Sequence, residues 1–307
     1  MRHVKAEIAS QPDCWSHAAK LAGSRGLPAR GERVAMVGCG TSWFMGMAYA
    51  SLRERAGEGE TDVFQASEFP HGRRYDRVVA ITRSGTTTEI IELLDALDGR
   101  TPTTVLTADG EQPAAALATD AILLDFADEQ AVVQTRFATS ALALLRAHLG
   151  EDLEPVCADA EVAVRLPLPV HPALVEQITF LGRGWTIGLA HEAALKCRES
   201  AAYWAEAYPA MDYRHGPISI AGPRRVVWAF GEIPPGLADD VEATGASFVH
   251  SRHHGGYAAL GSWRGGRSPL DPMADLVLAQ RVAVLLATSQ GLDPDNPRNL
   301  TRSVVLA

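Results

Sequence analysis

Two runs of strand length end alike and open alike segments. VAMVGCG (34–40) runs into TSWFMGMAYASL, and ITFLGRG (178–184) runs into WTIGLAHEAALK. A strand that stops at Gly-x-Gly and is followed at once by small-residue helical sequence belongs to a parallel sheet, because a helix must carry the chain back across the sheet face before the next strand can start. RVVAITRSG (77–85), TPTTVLTA (101–108) and DAILLDF (120–126) continue the series, with FATSALALLRAHL (137–149) as a long closing helix. In the second half RRVVWAF (224–230), ASFVHS (246–251) and ADLVLAQ (274–280) read as later strands. Gly38 and Gly182 lie 144 residues apart and Val78 and Val226 lie 148 apart, near-equal offsets that predict a duplicated unit.

The fold class expected is therefore α/β, with two tandem domains, each a parallel sheet flanked by helices in an α/β/α sandwich. A leading helical segment covers 1–30, with a break at Pro12-Asp13. The first domain covers 31–150. Pro155, Pro167, Pro169 and Pro172 mark 151–172 as a connection, the second domain covers 173–295, and 296–307 are expected to form a tail over the active site.

The 307 residues give room for two domains, and a charged fraction of 21 % beside 47 % hydrophobic residues is the balance of a globular chain. A formal net charge of −9 without any Lys/Arg run argues against nucleic-acid binding. The N-terminus lacks the apolar core of a signal peptide and no apolar run reaches the roughly 18 residues of a membrane span, so no membrane partner and a cytoplasmic location are expected. Cysteines stand singly at 14, 39, 157 and 197, so neither a disulfide framework nor a metal site is expected.

Gly-x-Gly after a strand raises the question of a dinucleotide. The place of the third glycine is held by Trp43 and Ile187, which argues against a nicotinamide, and no cofactor is expected. The stretch Thr82-Arg83-Ser84-Gly85-Thr86-Thr87-Thr88 is more informative. Placed where a strand hands over to a helix, it offers free amides at the positive end of the helix dipole, with hydroxyl donors beside them. A capping box of Thr86 and Glu89 accounts for one of these hydroxyls and leaves Thr82, Ser84, Thr87, Thr88 and Arg83 in excess. Thr41-Ser42 follows the other glycine turn of the same half, so the two turns converge at the carboxyl edge of the sheet as an anion site.

In the second half Glu192, Lys196 and Glu199 share one helical face at i, i+4 and i+7. For Glu192 with Lys196 a solvated ion pair is expected. Glu199 is followed by Ala201, Ala202, Tyr203 and Trp204, an apolar setting suited to a general base. His191 is expected to be structural or exposed, and His215 precedes the turn Gly216-Pro217.

GCGTS, ASEF, SGTTTE, FLGRG, EAALKCRE, AEAYPAMDYRHGP and NPRNLTRSVVLA, in this order over nearly the whole chain, resemble the double sugar-isomerase (SIS) domain proteins, in layout the isomerase half of glucosamine-6-phosphate synthase. The resemblance implies that Thr41, Ser42, Thr82, Arg83, Ser84 and Thr87 bind a sugar phosphate. It implies that Glu199 moves a proton between C1 and C2 of the open-chain sugar, and that His215, offered across a homodimer interface, assists ring opening. Three features depart from that layout. The chain enters the sugar domain directly from Met1-Arg2, so no glutaminase activity is expected. Arg302 stands where the family has a Schiff-base lysine, and Arg83 where the synthase has a glutamine; a guanidinium is a poor amine nucleophile but suits a doubly charged or sulfonated headgroup. The expected activity is isomerisation or deamination of a hexose or hexosamine 6-phosphate. A fructosamine 6-phosphate deglycase, a sulfo-sugar isomerase and a non-catalytic sugar-phosphate sensor remain open.

Overall fold

The computed structural model describes residues 2–251 and 270–306. Five parallel strands form the first sheet: β1 (Val34–Gly38), β2 (Thr61–Gln65), β3 (Arg77–Ile81), β4 (Thr103–Thr107) and β5 (Asp120–Leu123), in the order β2-β1-β3-β4-β5. Four more form the second: β6 (Gln177–Gly182), β7 (Ala205–Pro209), β8 (Arg225–Ala229) and β9 (Ser247–His250), ordered β7-β6-β8-β9. The second sheet thus repeats the order of the first four strands. The helices are α1 (Arg2–Ala9), α2 (Gln11–Ala19), α3 (Thr41–Arg55), α4 (Thr88–Leu97), α5 (Pro113–Leu117), α6 (Arg136–His148), α7 (Glu154–Arg165), α8 (Thr186–Ala201), α9 (Leu237–Ala243) and α10 (Pro272–Ser289).

The inner faces of both sheets bury their side chains in one continuous core. Met36, Val79 and Leu106 of the first sheet and Ile178, Phe180 and Trp228 of the second meet it through α3, α6, α8 and α10. The outer face of the first sheet is closed by Ile90, Leu93 and Leu94 of α4, and that of the second by Leu237 and Val241 of α9. Helices on both faces bury the central strands: β1, β4 and β6 are buried at every position, the threonines of β4 included.

Several expectations are corrected. Two of the four edge strands, β2 and β7, escape a hydrophobic reading because both are only partly buried beyond their first residue. ADLVLAQ, read as a strand, lies inside α10, whose start is set by Asp271 accepting from the Met273 amide and by Pro272 in the first turn. The apolar run in that stretch, 276–279, is too short to be told from a buried helix by periodicity alone. The stretch 151–172, read as a connection, carries α7, with Val156, Ala160 and Ala163 buried. The break in the leading segment falls at Ser10, and Pro12 sits in the first turn of α2. By length and composition α10 is long enough, at 18 residues, to cross a membrane, and 72 % of it is buried inside the protein. Within the expected second domain, 252–269 lie outside the described residues.

Candidate active site

Helices α3 and α8 start at equivalent strand ends and pack against each other, and glycine permits their contact. A Cβ on Gly188 would lie 2.3 Å from the Phe44 carbonyl oxygen and 3.0 Å from the Ala48 amide. This approach brings the later turns of α8 to the first turn of α3. Lys196 Nζ donates to Thr41 Oγ1 at 3.0 Å and to Glu199 Oε2 at 2.5 Å, and lies 3.5 Å from Glu192 Oε1.

The expected solvated ion pair is therefore a buried one, with Lys196 and Glu192 1 % and 0 % exposed. The i, i+4, i+7 spacing was visible in the sequence; that this face turns towards α3 was not. Burial pushes the Glu192 carboxyl up to about 8, only partly opposed by Lys196. Burial alone would depress Lys196, but Glu192 and Glu199 outweigh it and hold the ammonium above its ordinary value. Glu199 is 22 % exposed and sits against this ammonium, not among apolar side chains as expected.

One cavity of about 190 Å³ is lined by Thr41, Ser42, Thr82, Arg83, Ser84, Thr87, Glu199 and Arg302, with Cys39, Glu89 and Gln134. The structure thus gathers eight of the nine candidate residues at the carboxyl edge of the first sheet. A second cavity of about 800 Å³ shares Glu199 and Leu300 with it and opens beside Arg198, Asp293 and Arg298. His215 is absent from both linings and exposed, in the turn Tyr213–His215. His191 stacks on Phe44 with ring centroids 5.2 Å apart, and burial lowers its pKa.

The two arginines line the cavity but spend most of their donors on the protein itself. Arg83 is 1 % exposed, and its guanidinium donates to the carbonyls of Ala131 at 3.0 Å and Arg302 at 2.8 Å, with Glu129 3.9 Å away. Burial pulls its pKa down against Glu129. Arg302 donates to the Glu129 carbonyl and to Asp128 Oδ1 at 2.5 Å. The Nε of Arg83 has no partner among the described residues. The capping box is not formed either: α4 starts at Thr88 with Thr87 as N-cap and no side-chain cap, and Thr86 Oγ1 bonds to Ser84 and Ser303.

No family model matches the chain. Over 300 residues it is 27 % identical to the isomerising glutamine–fructose-6-phosphate aminotransferase of Sulfolobus acidocaldarius, a likeness covering 89 % of this chain and 50 % of that enzyme. The chain spans about half the length of the curated relatives it matches. Among solved structures, glucosamine-6-phosphate deaminase from Thermotoga maritima superposes with a TM-score of 0.77 at 23 % identity, covering 99 % of this chain and 100 % of that one. The C-terminal domain of the aminotransferase from Francisella tularensis gives 0.78 at 20 % identity, over 97 % and 99 %. The chain is homologous to part of the aminotransferases and shares the α/β fold, with parallel sheets flanked by helices, of these sugar-phosphate enzymes.

Two residues at the site that sequence reasoning did not single out are Lys196, read as solvated, and the tail serine Ser303, which enters the cavity from 219 residues beyond Ser84. The sequence signal for the lysine was its helical spacing; for the serine it was only its place in the tail stretch NPRNLTRSVVLA.

Proposed function

We propose that this protein is an SIS-type enzyme acting on a phosphorylated sugar, an isomerase or amino-sugar deaminase that moves a proton between C1 and C2 of an open-chain hexose or hexosamine 6-phosphate. One observation carries the reading: the Glu199 carboxylate and the hydroxyl-bearing turns after β1 and β3 line the same cavity. Thr41, Ser42, Thr82, Ser84 and Thr87 receive the phosphate as neutral donors at the positive end of α3 and α4. The phosphate takes no part in the chemistry. Its binding energy holds C1 and C2 in register with the base.

Glu199 removes the proton and returns it to the neighbouring carbon through a cis-enediol, a contribution of about 10²- to 10⁴-fold for a positioned general base. Lys196 holds that carboxylate in place and supplies a positive field beside the developing enediolate oxygen. Imine formation through Arg302 is not part of this mechanism, because a guanidinium is a poor nucleophile and this one is engaged by Asp128. His215 acts in ring opening from a second copy of the chain, in a dimer of two-domain protomers.

Incubation with fructose 6-phosphate and a panel of hexose and hexosamine 6-phosphates in D₂O, followed by NMR at C1 and C2, tests the proposal. Deuterium enters with the wild type and not with Glu199→Gln, which still binds the sugar. Absence of exchange with every member of the panel refutes catalysis, and ammonia release from a hexosamine phosphate separates deaminase from isomerase.

A further inference from the structure

The tail runs through the cavity edge with one residue held from both sides. Before Ser303, the Arg302 carbonyl accepts from Arg83 and its guanidinium clasps Asp128 and the Glu129 carbonyl. After it, the Val304 carbonyl accepts from the Thr88 amide at 3.2 Å and the Leu306 amide donates to Thr88 Oγ1 at 2.9 Å. Between these anchors Ser303 Oγ lies 3.1 Å from Ser84 Oγ, 3.0 Å from Thr86 Oγ1 and 3.5 Å from Thr87 Oγ1. Ser84, Thr87 and Ser303 all line the cavity.

We propose that Ser303 is a further ligand of the substrate's tetrahedral oxyanion, delivered by the tail, and that Arg302 and Arg83 are positioning residues that set its place. This rests on the anion-site reading above and assigns the two arginines the role their geometry permits. Each hydroxyl has one proton to give and can accept two. Among the described residues, the Ser84 and Ser303 hydroxyls that line the cavity bond to neighbouring hydroxyls, so an entering oxyanion takes their protons by rotation of Cβ–O bonds alone, without movement of the backbone. The terminal nitrogens of Arg83 and Arg302 are spent on Ala131, Asp128, Glu129 and the tail, so the hydroxyls supply a neutral donor cradle beside them. Such a cradle accepts a tetrahedral oxyanion without requiring an ion pair.

The test uses the full chain and inorganic phosphate as probe, by calorimetric titration. Ser303→Ala weakens phosphate binding by about tenfold, the loss of one charge-assisted hydrogen bond. It raises KM for the turned-over sugar phosphate in the same proportion with kcat kept, and Ser303→Thr restores both. Asp128→Ala, which frees the clasp without touching the cradle, weakens phosphate binding in the same direction. Ser84→Ala is the control for the site itself. If Ser84→Ala weakens binding while Ser303→Ala leaves it unchanged, the role of the tail is wrong and the anion site stands; tighter binding by Ser303→Ala makes the tail a plug and overturns the inference. If neither variant alters phosphate binding, both readings fall.

Discussion

Replacing Glu192 by glutamine removes a buried ionisable group while keeping its size, and should change how stability depends on pH. In the folded chain the carboxyl is pushed up to about 8 by burial, from an ordinary value of 4.5. The folded state therefore holds a proton that the unfolded state releases between those two values. Stability from this group is complete below the unfolded pKa and is lost as pH rises through the folded one. Over an interval of about 3.5 pH units, at about 1.4 kcal/mol each, the loss is on the order of 4–5 kcal/mol between pH 4.5 and 8. Titrating groups remote from Glu192 contribute equally to both proteins, so the difference between wild type and Glu192→Gln reports this carboxyl together with the Lys196 and Glu199 charges coupled to it. Urea unfolding at half-unit steps from pH 5 to 9 measures it. The two proteins should be close at pH 5, and Glu192→Gln should gain steadily on the wild type up to pH 8. Parallel curves across that range would show that Glu192 ionises normally in the folded chain and that the assigned burial is wrong.

Lys196→Met leaves Glu199 and Glu192 facing each other without a cation, and should cost about 3–5 kcal/mol at pH 9, less at pH 6 where Glu192 keeps its proton; urea midpoints at the two pH values check this. Gly182→Ala places a Cβ 2.2 Å from the Thr186 carbonyl oxygen, in backbone that cannot yield, and should destabilise by ~2–3 kcal/mol, whereas Gly23→Ala, with nothing within 4 Å, should stay within ~0.5 kcal/mol; thermal unfolding compares them. Mixing inactive His215→Ala with inactive Glu199→Gln should restore part of the proton exchange if the two residues meet across a dimer, and no recovery in co-expressed heterodimers would assign His215 elsewhere.

The central strands and their order of appearance were legible because a strand covered on both faces is apolar over much of its length, and the apolar residues of β1, β3, β4, β6 and β8 stand out. Of the edge strands, β5 and β9 were read and β2 and β7 were not, since those two carry mixed residues that are only partly buried. The stretch ADLVLAQ, with four successive apolar residues, was taken for a strand when it belonged to α10, for the surrounding elements decide which periodicity such a run obeys. At the site, the hydroxyl-rich turn was conspicuous because five hydroxyls exceed what a helix cap requires. The fate of each charge was invisible. Whether Lys196 is solvated depends on α3, which starts 155 residues earlier and approaches through Gly188, and whether Arg83 faces a ligand depends on carbonyls at 131 and 302. Local pattern determines which elements form and where their polar ends lie. Only packing between distant segments decides which polar groups lose water and which partners replace it, and that exchange fixes the chemistry each can do.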